Sequence, residues 1–457
     1  MPDPSSRPPW ATSTALAVAL AAVFLLAPGP QVADRAAVAT QRASAALAVP
    51  PGRGAPSDVL AEDTTAALEE YWRATYPAAF GGPWDEIDVF TAVRTRDQRA
   101  TPPPCVNRAG DVAGQAFYCP SADAVAWDAD GLIPTLHDTF GPPGVVVVLA
   151  HEVGHAVQSR LGVDLAQQRD RQRFPTILLE AMADCYAGAT IAEFIQRPVA
   201  GVPLELTDRD NALRALVGFR DPLGVAPEDA AAHGNAFDRV SAFQDGFAGG
   251  PKTCAQMTAD NRAFTQRRFG SEADLARAGN LPLRELLTAV ERDVRTSFTE
   301  LAPGWRPPPL SSGTSCPPAQ LAAQGPAAFC PADGRVAVDI QGLDVLHREI
   351  GDFAGATLVA ARYGMALLAE RGIPSDKPSA GAAATCLAGA YTASLLDRSD
   401  GFQLSPGDLD EAVQVLLVED WAARDTTGTA ARAEDGFDRV GHFRTGAERG
   451  PTACLSE

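Results

Sequence analysis

Eight cysteines fall into two sets with nearly the same internal spacing. Cys105 and Cys119 are 14 residues apart, as are Cys316 and Cys330. Cys185 and Cys254 are separated by 69 residues, and Cys386 and Cys454 by 68. No two make a CxxC pair, so disulfides are a better reading than a zinc ribbon. The surrounding text recurs too: AFYCPSADAVAWDADGL against AFCPADGRVAVDIQGL, and AFDRVSAFQDGFAGGPKTC against GFDRVGHFRTGAERGPTAC. Spacing alone leaves the connectivity open, but two matching sets favour the pairs Cys105–Cys119, Cys185–Cys254, Cys316–Cys330 and Cys386–Cys454. The chain reads as two tandem copies of one domain, over residues 58–268 and 272–457.

One copy carries a motif the other lacks. His151-Glu152-Val153-Gly154-His155 lies in the run VVVVLAHEVGHAVQSRLG. On a helix, residues four apart share a face, so His151 and His155 can hold one metal ion. Glu152 is then placed to act as general base on a metal-bound water. The apolar run before the motif predicts a buried helix, where histidines without partners would be costly. A second motif, Glu180-Ala181-Met182-Ala183-Asp184, opens another expected helix. Glu180 can be the third ligand, leaving a fourth position for water. Asp184, one turn on, can accept the free ring N–H of a ligating histidine. The cofactor expected is one Zn²⁺ per chain.

These residues resemble the gluzincin pattern, HExxH followed by ExxxD. The wider match resembles the bacterial putative neutral zinc metallopeptidase family, through FYCPSADAVAWD, LAHEVGHAVQ, LLEAMADCYAG and HGNAFDRVSAFQDGF, from about Cys105 to Cys254. Ala156 departs from the family, which often has a histidine there. The resemblance implies an α+β fold: a mainly helical zincin-like domain with a small antiparallel hairpin. It also implies that a peptide substrate adds as a strand at that hairpin. His233, in the HG segment of the resembling stretch, is the candidate oxyanion donor, with a structural role the competing reading.

Set against the second copy, LAHEVGHAV aligns with LHREIGDFA, which puts Arg348 opposite His151, Asp352 opposite His155 and Glu349 opposite Glu152. LLEAMADCYAG aligns with SAGAAATCLAG, so Glu180 faces Gly381 and Asp184 faces Thr385. His233 faces Ala433. The second copy is expected to bind no zinc and to pack on the first as a pseudo-dimer. Asp238-Arg239 recurs as Asp438-Arg439, which points to scaffold rather than chemistry.

A net charge of −19 argues against nucleic acid as partner. Trp10 to Ala27 is free of charge and largely apolar, so residues 1–33 are expected to be a signal peptide or membrane anchor. Residues 34–57 read as an Ala/Pro/Gly-rich tether. Helices are expected at 59–76, before Gly162 after a break at Pro142-Pro143-Gly144, from Pro175, and from about Asn235. Short strands are expected at Ala116–Cys119 and Ala124–Trp127. The function expected is an exported zinc-dependent peptidase. The alternative is a catalytically idle extracytoplasmic binding or scaffold protein on a peptidase fold.

Overall fold

The computed structural model describes residues 54–312, 316–396, 398, 401–431 and 434–455. The apolar stretch at 10–27 and nearly all of the expected tether lie outside these residues. The described residues belong to one compact unit. They form a mainly helical α+β fold with two three-stranded sheets.

Helix α1 (Pro56–Phe80) opens on a proline, whose missing N–H costs nothing in a first turn. It therefore takes in the last residues of the expected tether. Leu60, Leu68, Tyr71 and Trp72 recur at helical spacing and are all buried. Next come β1 (Val89–Val93), β2 (Ala116–Cys119) and β3 (Ala124–Asp128), in the sheet order β1-β3-β2. The expected hairpin is the antiparallel pair β2–β3, with Ala116 opposite Trp127. Strand β1 was not expected. It runs parallel to β3, with Val89 opposite Ala124, and a partner so distant in the chain leaves no local turn signal.

Asp128 ends β3 and organises the entry to the next helix. Its carboxylate accepts from Thr95 Oγ1 (2.7 Å), Gly114 N (2.8 Å), Asp130 N (2.9 Å), Gly131 N (3.0 Å) and Leu132 N (3.1 Å). The last two bonds start helix α2 (Leu132–Phe140). Helix α3 (Pro142–Arg160) comes directly after it. Pro142 and Pro143 are thus its first turn, not a break before it. Four consecutive valines are poor helix formers. Val145, Val146 and Val147 are fully buried and Val148 is nearly so, and burial of about 2 kcal/mol per side chain outweighs propensity. The helix stops before Gly162, whose φ of 75° is the left-handed turn expected there.

Helix α4 (Thr176–Gln196) is buried along almost all its length because α3 covers one side and α6 (Ala236–Ala255) the other. Helix α5 (Arg209–Gly218) bridges α3 and α6. The crossing of α4 and α6 depends on two glycines. A Cβ on Gly188 would lie 2.0 Å from Phe243 O, and one on Gly246 would lie 1.7 Å from Cys185 O. The disulfide Cys185–Cys254 ties the same pair of helices.

The same succession recurs from residue 283 onward: α7 (Leu283–Leu301), β4 (Leu310–Ser312), β5 (Ala327–Cys330), β6 (Arg335–Val338), α8 (Ile340–Glu349), α9 (Asp352–Glu370), α10 (Pro378–Ser394), α11 (Asp408–Val418) and α12 (Gly436–Arg449). The second sheet has the order β4-β6-β5, with β4 parallel and β5 antiparallel to β6. Disulfides join Cys105–Cys119, Cys185–Cys254, Cys316–Cys330 and Cys386–Cys454, the four expected pairs.

The helices correct one register taken from the sequence. Arg348 lies on α8, the helix that succeeds the second hairpin as α2 succeeds the first. The helices that come next, α3 and α9, are both 19 residues long and both come after a glycine, Gly141 and Gly351. Counted from their starts, Ala361 stands opposite His151, Arg362 opposite Glu152, Gly364 opposite Gly154 and Met365 opposite His155. Asp352 is only the first residue of its helix. The wrong register rests on the Leu, Glu and Gly that LAHEVGHAV and LHREIGDFA share, whereas the LH dipeptide, Leu136-His137 on α2 and Leu346-His347 on α8, agrees with the helix starts. Among the described residues, no helix is long and apolar enough to cross a membrane.

Candidate metal centre

Helix α3 presents His151 and His155 one turn apart, and α4 presents Glu180 against them. Gly154, inside the motif, allows this approach: a Cβ there would lie 3.0 Å from both Cα and O of Ala183. The two Nε2 atoms are 3.2 Å apart. Glu180 Oε2 is 3.3 Å from His151 Nε2, and Oε1 is 3.6 Å from His155 Nε2. A tetrahedral zinc with bonds of about 2.1 Å needs donors roughly 3.4 Å apart.

The outer contacts determine what those donor atoms are. His151 Nδ1 stands 2.7 Å from Asp184 Oδ1 and donates its N–H there, because a carboxylate only accepts. That leaves a lone pair on His151 Nε2. Gln158 Nε2 donates to Leu179 O at 2.5 Å, which turns Oε1 towards His155 Nδ1 at 3.2 Å. His155 Nε2 is thus also a lone-pair nitrogen. Two imidazole lone pairs and a carboxylate converge in a buried place with no N–H or O–H between them. Such a set fits a cation, and its mixed nitrogen and oxygen donors suit zinc.

Without the ion, a proton takes the role of the charge. Burial opposes protonation of His151, but Asp184 and then Glu180 outweigh it and push its pKa up to about 10. Burial likewise opposes the Glu180 charge, and His155 and His151 hold its carboxyl well below the usual range. Asp184 is fully buried and is also held low, by Arg239 and His151 against the effect of burial. Arg239 donates Nε to Asp184 Oδ2 at 2.9 Å and Nη2 to Oδ1 at 2.8 Å.

Glu152 is buried beside His151 and acts on it electrostatically. His233 lies apart from the three donors. Its side chain is half exposed, its Nδ1 is 3.1 Å from Asp221 Oδ1, and Asp221 raises its pKa. It is still close enough to Glu180 for their charges to interact. Tyr186 packs edge-on against Trp72 in the core.

Sequence reasoning misses two residues of the site. Gln158 lies three residues after His155 on the same helix, a spacing that gives it away once a ligand at His155 is assumed. Arg239 looks like scaffold because Arg439 repeats it. The usable signal is that its partner changes from Asp184 to Thr385 while the arginine stays.

The corresponding place in the second half is filled. A Cβ on Gly381 would lie 1.7 Å from Ala423 O, so the chain itself occupies the space of a Glu180-like side chain. Arg362 is wholly buried and binds that chain, donating to the carbonyls of Gln324, Ala327, Trp421 and Arg424. Elsewhere, Asp352, Asp408 and Glu411 bring carboxylate oxygens within 4.8 Å of one another. Each spends one oxygen on a backbone N–H, of Leu281 (2.7 Å), Ser405 (2.8 Å) and Phe353 (2.7 Å) respectively, so the group serves as helix and loop caps.

Residues 91–257 match the model of a family described as "Putative neutral zinc metallopeptidase". The uncharacterized protein YpfJ of Escherichia coli is 32% identical over 171 residues, which cover 33% of this chain and 58% of YpfJ. The uncharacterized protein Rv2575 of Mycobacterium tuberculosis is 34% identical over 161 residues, covering 31% of this chain and 55% of Rv2575. The chain thus spans little more than half the length of these curated relatives. No solved structure matches it.

Proposed function

We propose that this chain is an exported zinc peptidase with one working site, in its first half, and a closed, degenerate copy of the same domain in its second. The observation that carries the reading is the convergence of three lone-pair donors, His151 Nε2, His155 Nε2 and a Glu180 oxygen, in a buried place. Zinc bound there supplies a Lewis acid for the scissile carbonyl and makes water acidic enough to be deprotonated near neutral pH.

The chain's own residues do the rest. Asp184 keeps the His151 proton on Nδ1, and Gln158 does the same for His155. Glu152 takes the proton of the attacking water and delivers it to the leaving amine nitrogen. His233, which Asp221 favours in its protonated form, donates to the oxyanion. The free edge of the hairpin at β2, one of the two outer strands of its sheet, receives the peptide as an added strand.

Matched sheet orders, the equal lengths of α3 and α9 and closely matched disulfide separations support descent of the two halves from one domain. Four disulfides support an oxidising, extracytoplasmic location. The N-terminal signal or anchor stands on sequence alone.

The test is zinc content together with chelator-sensitive cleavage of unfolded casein, for wild type, Glu152→Gln and His155→Ala. One zinc per chain is expected, lost in His155→Ala and kept in Glu152→Gln, with cleavage lost in both. A wild type that takes up no zinc would leave the idle binding protein as the reading.

A further inference from the structure

The halves meet through contacts that come in mirrored pairs. Asp210 of α5 accepts from the backbone N–H of Gly436 (2.8 Å) and Phe437 (2.7 Å), at the start of α12. Asp410 of α11 accepts from the backbone N–H of Ala236 (2.6 Å), at the start of α6. The aromatic contacts obey the same rule: Phe237 meets Phe443 at 6.2 Å, and Phe243 meets Phe437 at 6.4 Å. Residue i meets j and j meets i, which is the pattern of a two-fold interface.

The mirror breaks in what the two capped helices carry. Helix α6 carries Arg239, which grips both oxygens of Asp184 and donates Nη1 to Phe219 O at 2.6 Å. Helix α12 carries Arg439, which donates Nε to Leu416 O at 2.7 Å, since Thr385 stands where Asp184 would be. Asp410 has one more partner on the first half: Arg220 Nε, 3.3 Å from its Oδ2 and one residue after Phe219. A single carboxylate from the second half thus holds the first turn of α6 and the side chain of Arg220, the residue next to the Phe219 carbonyl that Arg239 bonds.

We infer that Asp410 is a positioning residue for the metal centre. It acts through α6 and Arg239 on Asp184, and through Asp184 on the ring of His151. The second half therefore supplies part of the support that its own closed site no longer needs. The inference rests on the zinc reading above. Helix α6 does not depend on Asp410 for its existence, because Asn235 caps it by accepting from Asp238 N at 2.9 Å. Losing Asp410 lets the first turn shift against Asp184 and leaves the helix formed.

Asp210 provides the control, since it makes the same kind of bonds across the same interface but to a helix with no metal site. Zinc affinity is measured by competition with a chelating dye for wild type, Asp410→Ala, Asp410→Asn and Asp210→Ala, in the full chain, and thermal unfolding is recorded alongside. Asp410→Ala is expected to weaken zinc about tenfold, in the range found for outer-shell partners of metal ligands. Asp410→Asn keeps an oxygen for Ala236 N–H and is expected to stay within about threefold of wild type. Asp210→Ala is expected to lower the unfolding temperature but to leave zinc affinity within about twofold. Equal zinc affinities for Asp410→Ala and Asp210→Ala, with wild type binding zinc, overturn this inference and leave the proposed function standing. A wild type without zinc overturns both.

Discussion

Arg239 holds Asp184 with two parallel bonds, Nε to Oδ2 at 2.9 Å and Nη2 to Oδ1 at 2.8 Å, and both residues are buried. Oδ1 also receives the Nδ1–H of His151. One carboxylate therefore fixes a ligand and neutralises an arginine. Asp184→Ala should weaken zinc binding about 10- to 100-fold. It should also cost about 3–5 kcal/mol of stability by stranding a buried charge. Adding Arg239→Met should recover most of the stability and none of the zinc affinity. Denaturant unfolding and chelator competition separate the two effects.

The His151 proton predicts how zinc responds to pH. Its folded pKa is raised from 6.5 to about 10, so its stabilising effect on the metal-free chain is present below pH 6.5 and is lost as pH rises through about 10. Zinc replaces that proton. Zinc affinity should therefore climb about tenfold per pH unit between roughly 6.5 and 9. The gap in melting temperature between zinc-bound and metal-free protein should widen over the same range. Calorimetry in buffers of different ionisation enthalpy should detect about one released proton per zinc at about pH 7.5. A flat affinity across this range would contradict the placement of the proton.

The carboxylates of Asp352, Asp408 and Glu411 predict a loss of stability with rising pH, as His151 does in the metal-free chain. Burial pushes Asp352 up to about 6, and burial and mutual repulsion push Asp408 and Glu411 well above their usual range. The folded chain then holds more protons than the unfolded one, so this group costs stability as pH rises above about 4. Asp408→Asn keeps the bond from Ser405 N–H and removes one charge. It should stabilise the chain at about pH 7.5 by about 1–2 kcal/mol and change little at about pH 4. Melting curves at the two pH values decide it.

The second half should resist re-arming. Ala361→His, Met365→His and Gly381→Glu together would restore the donor types of the first half, but Gly381 has Ala423 O where a side chain would go. Gly381→Ala alone should cost about 3 kcal/mol or more, whereas Glu180→Ala should leave the fold intact. Zinc stoichiometry by atomic emission should stay at one per chain in the triple variant.

The cysteine spacings and the HEVGH and EAMAD motifs carried much of this protein in the sequence. They are local patterns, and helical periodicity turns a spacing of four into a shared face without help from the rest of the chain. That was enough to bring His151, His155, Glu180 and Asp184 to one place and to anticipate the four disulfides. Strand β1 was out of reach, because its partner lies far along the chain and only packing selects it. The register between the halves failed for a related reason: a few matching letters point one way and the helix starts, which backbone hydrogen bonding sets, point another. Tertiary structure alone decided that Ala423 closes the second site and that Asp210 and Asp410 exchange caps. Each depends on a side chain or carbonyl meeting a backbone group well removed along the chain. Such meetings are fixed by how whole helices dock rather than by the residues' own preferences.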